Sequence, residues 1–505
     1  MTKTSIHLGD IHIGTSLQNN ADRSQTAKDP FHILVLGDFS GSHAPNSHKV
    51  INLDRDNFEE VFARLNPQIE ISLLEDSSNH VTLSFSELED FEPDAIYEKL
   101  EIFSQLRSLR RRLSNNSSFA EAAKEMSSWG AAHTEESNAA PAVTENTPIG
   151  ANVLDVLLAE TEKRTTSENT VSGSDLARNL IREIVAPHVI PAADPKQPEM
   201  IRAVDESISE QMSSLLHNPD FQQMEAAWRS LYFLIRNVST DTDLKIYLLD
   251  IKKESLMALM NSEEPDKTTF FKQYIEPYSY VVGAKAWSVM LGNYSFGDNH
   301  EDIQLMKYMA VYAAQCNATF VAAAECSLLG CENLATTPDP DDWQIDRDED
   351  LLANWQKLRN MPHSRHLALT FPRFLLRLPY GKQGKPVECF DYEEMPTSVH
   401  NQYLWGNAAF AWTVLLAESF SQNQWQFKPG QLNEVSDLPA HIYHDDGEQS
   451  MKPCAEILLT ERGGEKITSL GITPCWSVSN RGAIRIGPFV SLNASPQLVA
   501  GRWVS

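Results

Sequence analysis

From Phe31 to Leu36 the sequence reads Phe-His-Ile-Leu-Val-Leu and then stops at Gly37, a short apolar run closed by a glycine. This is the pattern of a buried strand, and it sets the class of the region around it. Asp56 or Asn57 is placed to cap a short helix that carries Phe58, Val61, Phe62 and Leu65 on one face. Val81, Leu83 and Phe85 alternate with polar residues as a half-buried strand does. Pro93 then opens a helix with Ile96, Leu100, Phe103 and Leu106 at helical spacing. Arg107, Arg110, Arg111 and Arg112 near its end suit the negative end of the helix dipole. Residues 30 to 113 therefore read as a compact α/β unit.

The texture loosens between Ser114 and Pro198. Ser114–Ser118 and Thr134–Pro148 are polar, small-residue and proline-containing, as linkers are. One island stands inside, Val153-Leu-Asp-Val-Leu-Leu-Ala-Glu-Thr161, an amphipathic stretch too short to be stable alone in water. It reads either as a docking peptide or as a helix packed back on its own domain. From Ile201 the chain is dense again. Ile201, Val204, Ile208, Met212 and Leu215 mark one helix face. Asn218-Pro219-Asp220 breaks that helix and restarts a second, with Phe221, Met224, Trp228, Leu231 and Ile235 on its face. Trp228 at that register reads as core. Leu244–Leu248 reads as a strand, and Asp302–Cys316 as a helix. An apolar stretch covers Trp287–Leu291, and another runs from Leu367 to Leu378 across Pro372.

The chain has 505 residues, of which 42% are hydrophobic and 22% charged, an ordinary globular balance that suggests two to four domains. Six cysteines are scattered without a C-x-x-C pair. They read as buried thiols of a cytosolic protein, not as a disulfide framework. The opening MTKTSIHLGDIHIGT shows no apolar run behind a basic start, and no stretch reaches the ~18–20 apolar residues of a spanning helix. The expectation is a soluble cytoplasmic protein with no membrane partner. A formal net charge of -27 argues against nucleic acid, whose phosphates are bound by lysine and arginine. The acidic excess serves solubility or attracts a basic partner surface.

Candidate chemistry is sparse. Gly37-Asp-Phe-Ser-Gly41 follows a strand but has no lysine, and Asp38 would repel an anion, so a structural turn is expected instead of a phosphate loop. It is not a nucleophile elbow, which needs Gly-x-Ser-x-Gly. His441-Ile-Tyr-His-Asp-Asp446 crowds metal-ligand residue types without a helical register and reads as a solvated loop, as against a metal site. His363 and His366 stand three apart beside Arg365 and are weighed the same way. Arg365, Arg373 and Arg377 lie in or beside an apolar run. They bind anions or, as the many acidic residues favour, pair with an acidic neighbour. No Ser/His/Asp or Cys/His arrangement appears, so no catalytic, cofactor-binding or metal residue is assigned and no cofactor is expected.

Two stretches resemble the contractile sheath of type VI secretion. Pro30-Phe-His-Ile-Leu-Val-Leu-Gly-Asp-Phe-Ser-Gly41 is similar to the opening of the small, VipA-type subunit. The similarity continues through Asp54–Phe58, Val81–Phe85 and Glu89–Asp94 and fades after Leu113. Gln211–Leu231 resembles the large, VipB-type subunit. So do Leu291–Phe296, Leu369–Gly381, Tyr403–Ala409, Lys452–Glu456 and Leu470–Pro474. The resemblance implies an α/β fold in which a small-subunit-like domain is linked to a large-subunit-like one. The expected boundaries are an N-terminal segment over 1–29, the first domain over 30–130, a linker with a short helix over 131–198 and the second domain over 199–505. It further implies that the first domain packs on the second, and that the sequence ends where a VipB-type subunit would continue into another domain. The function implied is a structural, non-enzymatic sheath component acting by subunit assembly and contraction. Alternatives are an accessory protein that caps, nucleates or modulates a sheath and, less in keeping with the residues, a metal-dependent enzyme on this scaffold. Implied partners are other sheath subunits, baseplate or inner-tube proteins, and a Clp-type AAA+ unfoldase. The island resembles the VipB-type helix that such an unfoldase recognises, through Leu154, Leu157, Leu158, Glu160 and Thr161.

Overall fold

The computed structural model of the chain describes residues 4–8, 11–15, 29–42, 48–72, 80–126, 197–279, 286–331, 333, 337–344, 348–382, 384–395, 400–445 and 448–503. They form two compact units. The first comprises Met1–Phe91, His217–Pro386 and Met395–Ser505, and the second Glu92–Leu216 and Val387–Glu394. The principal helices are, in chain order, α1 (Phe58–Leu65), α2 (Pro93–Lys99), α3 (Glu101–Ser114), α4 (Gln197–Leu216), α5 (Pro219–Asn237), α6 (His300–Cys316) and α7 (Ala408–Asn423).

A nine-stranded sheet organises the first unit. Its strands are β1 (Phe31–Gly37), β2 (Val50–Leu53), β3 (Leu244–Asp250), β4 (Val289–Phe296), β5 (Thr319–Ala324), β6 (Leu367–Phe371), β7 (Glu434–Val435), β8 (Ile472–Ser477) and β9 (Ile484–Ile486). Across the sheet they stand in the order β7-β9-β8-β6-β5-β4-β1-β3-β2. The strands from β8 to β3 in that order are mutually parallel, and β2, β7 and β9 run antiparallel to their neighbours. Parallel strands are buried on both faces, which is why the run at Phe31 shows no polar alternation. Leu34 and Leu36 join the core that contains Ile303, Met306 and Met309 of α6. Phe31 turns the other way and meets Phe420 of α7 with ring centroids 5.0 Å apart. Helix α7 is apolar nearly all round and buried accordingly, from Ala408 through Ala417.

The second unit is helical. Ile102, Phe103, Leu106, Leu109 and Leu113 line the buried side of α3, and Met200, Val204, Ile208, Met212 and Leu215 that of α4, against which it packs. Gln197 Nε2 donates to the Leu113 carbonyl at 2.7 Å, and Arg110 meets Asp205 at 2.5 Å. The 387–394 segment joins through Phe390, stacked on Tyr97 at 4.4 Å, and through the Cys389 N–H, which donates to Asp94 at 2.8 Å.

Each unit thus joins stretches that lie far apart in the sequence. The reason is physical. A central strand needs neighbours on both edges, and β1 finds them in β3 and β4; the apolar face of α3 needs cover, and finds it in α4.

Two local expectations change. The single helix expected from Pro93 is two, because Leu100 adopts an extended conformation (φ -77°, ψ 130°) between α2 and α3. The apolar spacing survives the break, since Ile96, Leu100, Phe103 and Leu106 are all buried. Asn57 is the N-cap of α1, yet its side chain accepts the Asp54 N–H at 2.9 Å and caps no N–H of the helix.

Candidate functional site

The place where the chain joins its own distant parts is β1 and the turn that follows it. Strand β1 pairs with β3 from Phe31↔Leu244 to Gly37↔Asp250, and with β4 from Ile33↔Val289 to Leu36↔Gly292. The turn is then fixed from several sides. Asp38 Oδ1 accepts the Gly41 N–H at 2.8 Å, and Asp250 Oδ1 accepts the Phe39 N–H at 2.8 Å. Burial pushes the Asp250 carboxyl up, partly offset by hydrogen bonds from Ser40 and Phe39. Gly41 has φ +68°, and a Cβ there would lie 2.2 Å from the Gln68 carbonyl oxygen, so glycine is required. The expected structural turn is what the geometry shows.

Helix α5 closes over this turn. Its Asn218 cap accepts the N–H groups of Asp220 and Phe221. Trp228, 0% exposed, donates its indole N–H to the Phe39 carbonyl at 2.9 Å. Its ring packs against Phe39 at 5.4 Å and Phe62 of α1 at 4.2 Å. One turn earlier Glu225, also 0% exposed, accepts from Arg229 Nε at 2.7 Å and Arg377 Nε at 2.8 Å. Arg229 also donates to the Tyr380 hydroxyl at 3.1 Å, and the Arg377 guanidinium lies 4.3 Å from the Tyr380 ring centroid. Burial pulls the Arg229 cation down, but Tyr380 and Glu225 outweigh it and hold its pKa above the ordinary value. Glu225 was absent from the sequence candidates. The signal was present, an acid beside Met224 and Trp228 on the face of α5 that the apolar residues mark for burial.

The crevice where parallel α/β sheets usually take a ligand lies between strands whose connections leave in opposite directions, here β1 and β4. A Cβ on Gly37 would stand 2.8 Å from the Phe39 ring and 2.9 Å from Asn293 Cβ, so the end of β1 is tightly packed there. Asn407 Nδ2 donates to the Gly292 and Tyr294 carbonyls just beyond it.

Arg373 and Arg377 pair with acids as expected, Arg373 with Glu456 through Nε at 2.9 Å and its second amino group at 2.6 Å. Within the 441–446 cluster, the expected solvated loop is replaced at 441–445 by a buried histidine and a paired strand. His441 is buried with Nδ1 2.7 Å from the Tyr403 hydroxyl, and Ile442–Asp445 forms a hairpin with Glu448–Met451. No group of three or more metal-ligating residues is brought together among the described residues. Of the cysteines expected to be buried, Cys316, Cys454 and Cys475 are; Cys326 and Cys331 are half-buried and Cys389 is exposed. Leu154, Leu157, Leu158, Glu160 and Thr161 lie outside the described residues.

Two groups give the fold an acid limit. Burial would raise the Glu456 carboxyl, but hydrogen bonds from His400 and Arg373 win and lower its pKa to about 2. Burial lowers His366 to about 4, with Nδ1 donating to the Ala318 carbonyl at 2.6 Å. Both folded values lie below the ordinary 6.5 and 4.5. Each group therefore contributes stability that is complete above its ordinary value and is lost as pH falls through its folded one. Melting temperature should drop in two stages, from pH 6.5 towards 4 and from 4.5 towards 2. His366→Gln should remove the upper stage; a parent melting curve flat over that upper range would show that His366 is not held neutral.

Residues 198–492 match the tail sheath N-terminal domain family of VipB (EvpB/VC_A0108). The chain belongs to the VipB tail sheath family. Residues 11–129 match a second family, described as type VI secretion system, VipA, VC_A0107 or Hcp2. This sheath-family chain is also 32% identical, over 324 residues, to the type VI secretion system sheath protein TssC1 of Pseudomonas aeruginosa strain PAO1. The match spans 62% of each protein's length. In these terms β1 and the Gly37–Gly41 turn come from the VipA-matching region, whereas β3, β4, Trp228 and Glu225 come from the VipB-matching region.

Proposed function

We propose that this chain is a structural component of a type VI contractile sheath, working in the cytoplasm by assembly with other sheath subunits and not by bond chemistry. The observation that carries this reading is the shared sheet. A VipA-matching strand stands between two VipB-matching strands, so both sheath patterns build one mechanical element. Sheath contraction is a rearrangement of contacts between stiff subunits, and a sheet covered on both faces is suited to transmit load without deforming. No helix among the described residues is long and apolar enough to cross a membrane.

Negative-stain electron microscopy of the purified chain, alone and mixed with VipA- and VipB-type subunits, tests the proposal. Hollow tubes from the chain alone, or its incorporation into tubes of the mixture, are the expected results. A chain that stays out of every tube, while the added subunits polymerise normally, would overturn it.

A further inference from the structure

The turn after β5 brings two thiols together for a reason its backbone makes plain. Cys326–Leu329 forms a short 3-10 turn, and Gly330 ends it in the left-handed conformation at φ 82°. The Gly330 N–H donates to the Ser327 carbonyl at 3.1 Å, and the Cys331 N–H to the Cys326 carbonyl at 3.4 Å. This pair of bonds is the Schellman motif, in which the residue after the left-handed glycine folds back against the side chain five positions earlier. The two side chains that normally make an apolar contact there are Cys326 and Cys331. The Cys331 thiol points back along the turn, with Sγ 3.8 Å from the Cys326 carbonyl oxygen. Both are half-buried at the margin of the core, so solvent reaches them. A disulfide spans Cα atoms ~4.4–6.8 Å apart, a separation that a turn closed by this hydrogen bond provides.

The electrostatics agree with the geometry. Hydrogen bonding to Cys326 and burial both raise the Cys331 thiol. Arg373 lies within electrostatic reach of Cys326 and supplies positive charge to a thiolate there. The other cysteines lack this combination. Burial pushes Cys316 up to about 11 and raises Cys475. Desolvation and hydrogen bonding to Asp94 push the exposed Cys389 up to about 11.

We propose that Cys326 and Cys331 form a reversible disulfide by exchange with a small-molecule disulfide of the glutathione class, which makes this turn a modification site. The Cys326 thiolate attacks one sulfur of the disulfide and expels one glutathione thiolate, which takes a proton from solvent. Cys331 then loses its proton to water and attacks Cys326 Sγ, expelling the second glutathione. Two protein thiols become one S–S bond, and one glutathione disulfide is reduced to two thiols. Intracellular disulfides of this sort are transient and read the redox state of the compartment. The bond would lock the turn at the C-terminal end of β5, beside the Arg373–Glu456 pair.

The test uses the full chain, reduced and then equilibrated in buffers of rising oxidised-to-reduced glutathione ratio, quenched in acid and alkylated. Proteolysis, with a cleavage after Phe320 to separate Cys316, isolates the segment holding both cysteines for mass spectrometry. The expected product lacks alkyl groups, is lighter by two hydrogens and becomes alkylatable after dithiothreitol. In Cys331→Ser the same buffers should leave Cys326 carrying glutathione, because the resolving thiol is gone. Full alkylation of both residues in the most oxidising buffer, or a parent chain that stops at the glutathione adduct, overturns the proposal. An unmodified Cys326 in Cys331→Ser overturns the assigned order of attack.

Discussion

Trp228→Ala will destabilise the first unit by about 3–5 kcal/mol, the range for truncating a buried aromatic. The ring is 0% exposed and touches Phe39, Phe58 and Phe62, which come from the turn and from α1. Those neighbours are held by backbone pairing on two elements, so they cannot collapse fully into the space left behind. The indole N–H adds a second loss, because its removal leaves the buried Phe39 carbonyl without that partner, worth ~1–3 kcal/mol. Trp228→Phe separates the two contributions by keeping most of the ring and deleting the donor. Equilibrium urea unfolding reads both variants. An alanine variant with the parent's midpoint would mean that α5 does not seal the turn.

The second large effect is expected at Glu225. Its carboxylate stands between two guanidinium groups with no exposure of its own, so Glu225→Ala leaves the buried Arg377 and the half-buried Arg229 without their shared anion. Breaking a buried pair in this way typically removes about 3–5 kcal/mol. Arg229→Ala should remove less, because the Glu225–Arg377 bond at 2.8 Å remains. The ordering of the two variants in urea unfolding is therefore the diagnostic. If Arg229→Ala proved the more damaging, the carboxylate would not be the hub of the cluster.

What could be read from the sequence was local. The covered strand at Phe31, the face of α5 and its start at Asn218-Pro219-Asp220 follow from spacing and residue type over a few positions. The arginines at 373 and 377 announced a need for acidic partners, since a guanidinium in an apolar run must be paired. Their partners could not be named, because Glu456 and Glu225 lie 83 and 152 positions away. The break at Leu100 escaped because an extended residue there keeps the next apolar side chains on the same buried side. Sheet order escaped for a broader reason. Each parallel strand carries the same apolar signature, so nothing within β1 distinguishes β3 and β4 from any other neighbour. The resemblance to two sheath patterns supplied the family, and the sheet shows how the patterns are joined.

The central place of β1 also governs the chain's birth. Ile33 pairs with Val289, so an N-terminal strand leaves the ribosome long before the strand that flanks it. At translation speeds of ~5–20 residues per second, the interval is on the order of tens of seconds. Until β3 is made a run of apolar residues has both hydrogen-bonding edges unsatisfied, and until β4 is made one of them, the state in which nascent chains aggregate or recruit chaperones. Two polypeptides made separately would meet this difficulty at assembly; one continuous chain meets it during synthesis, and β1 must be kept soluble until the rest of the sheet arrives.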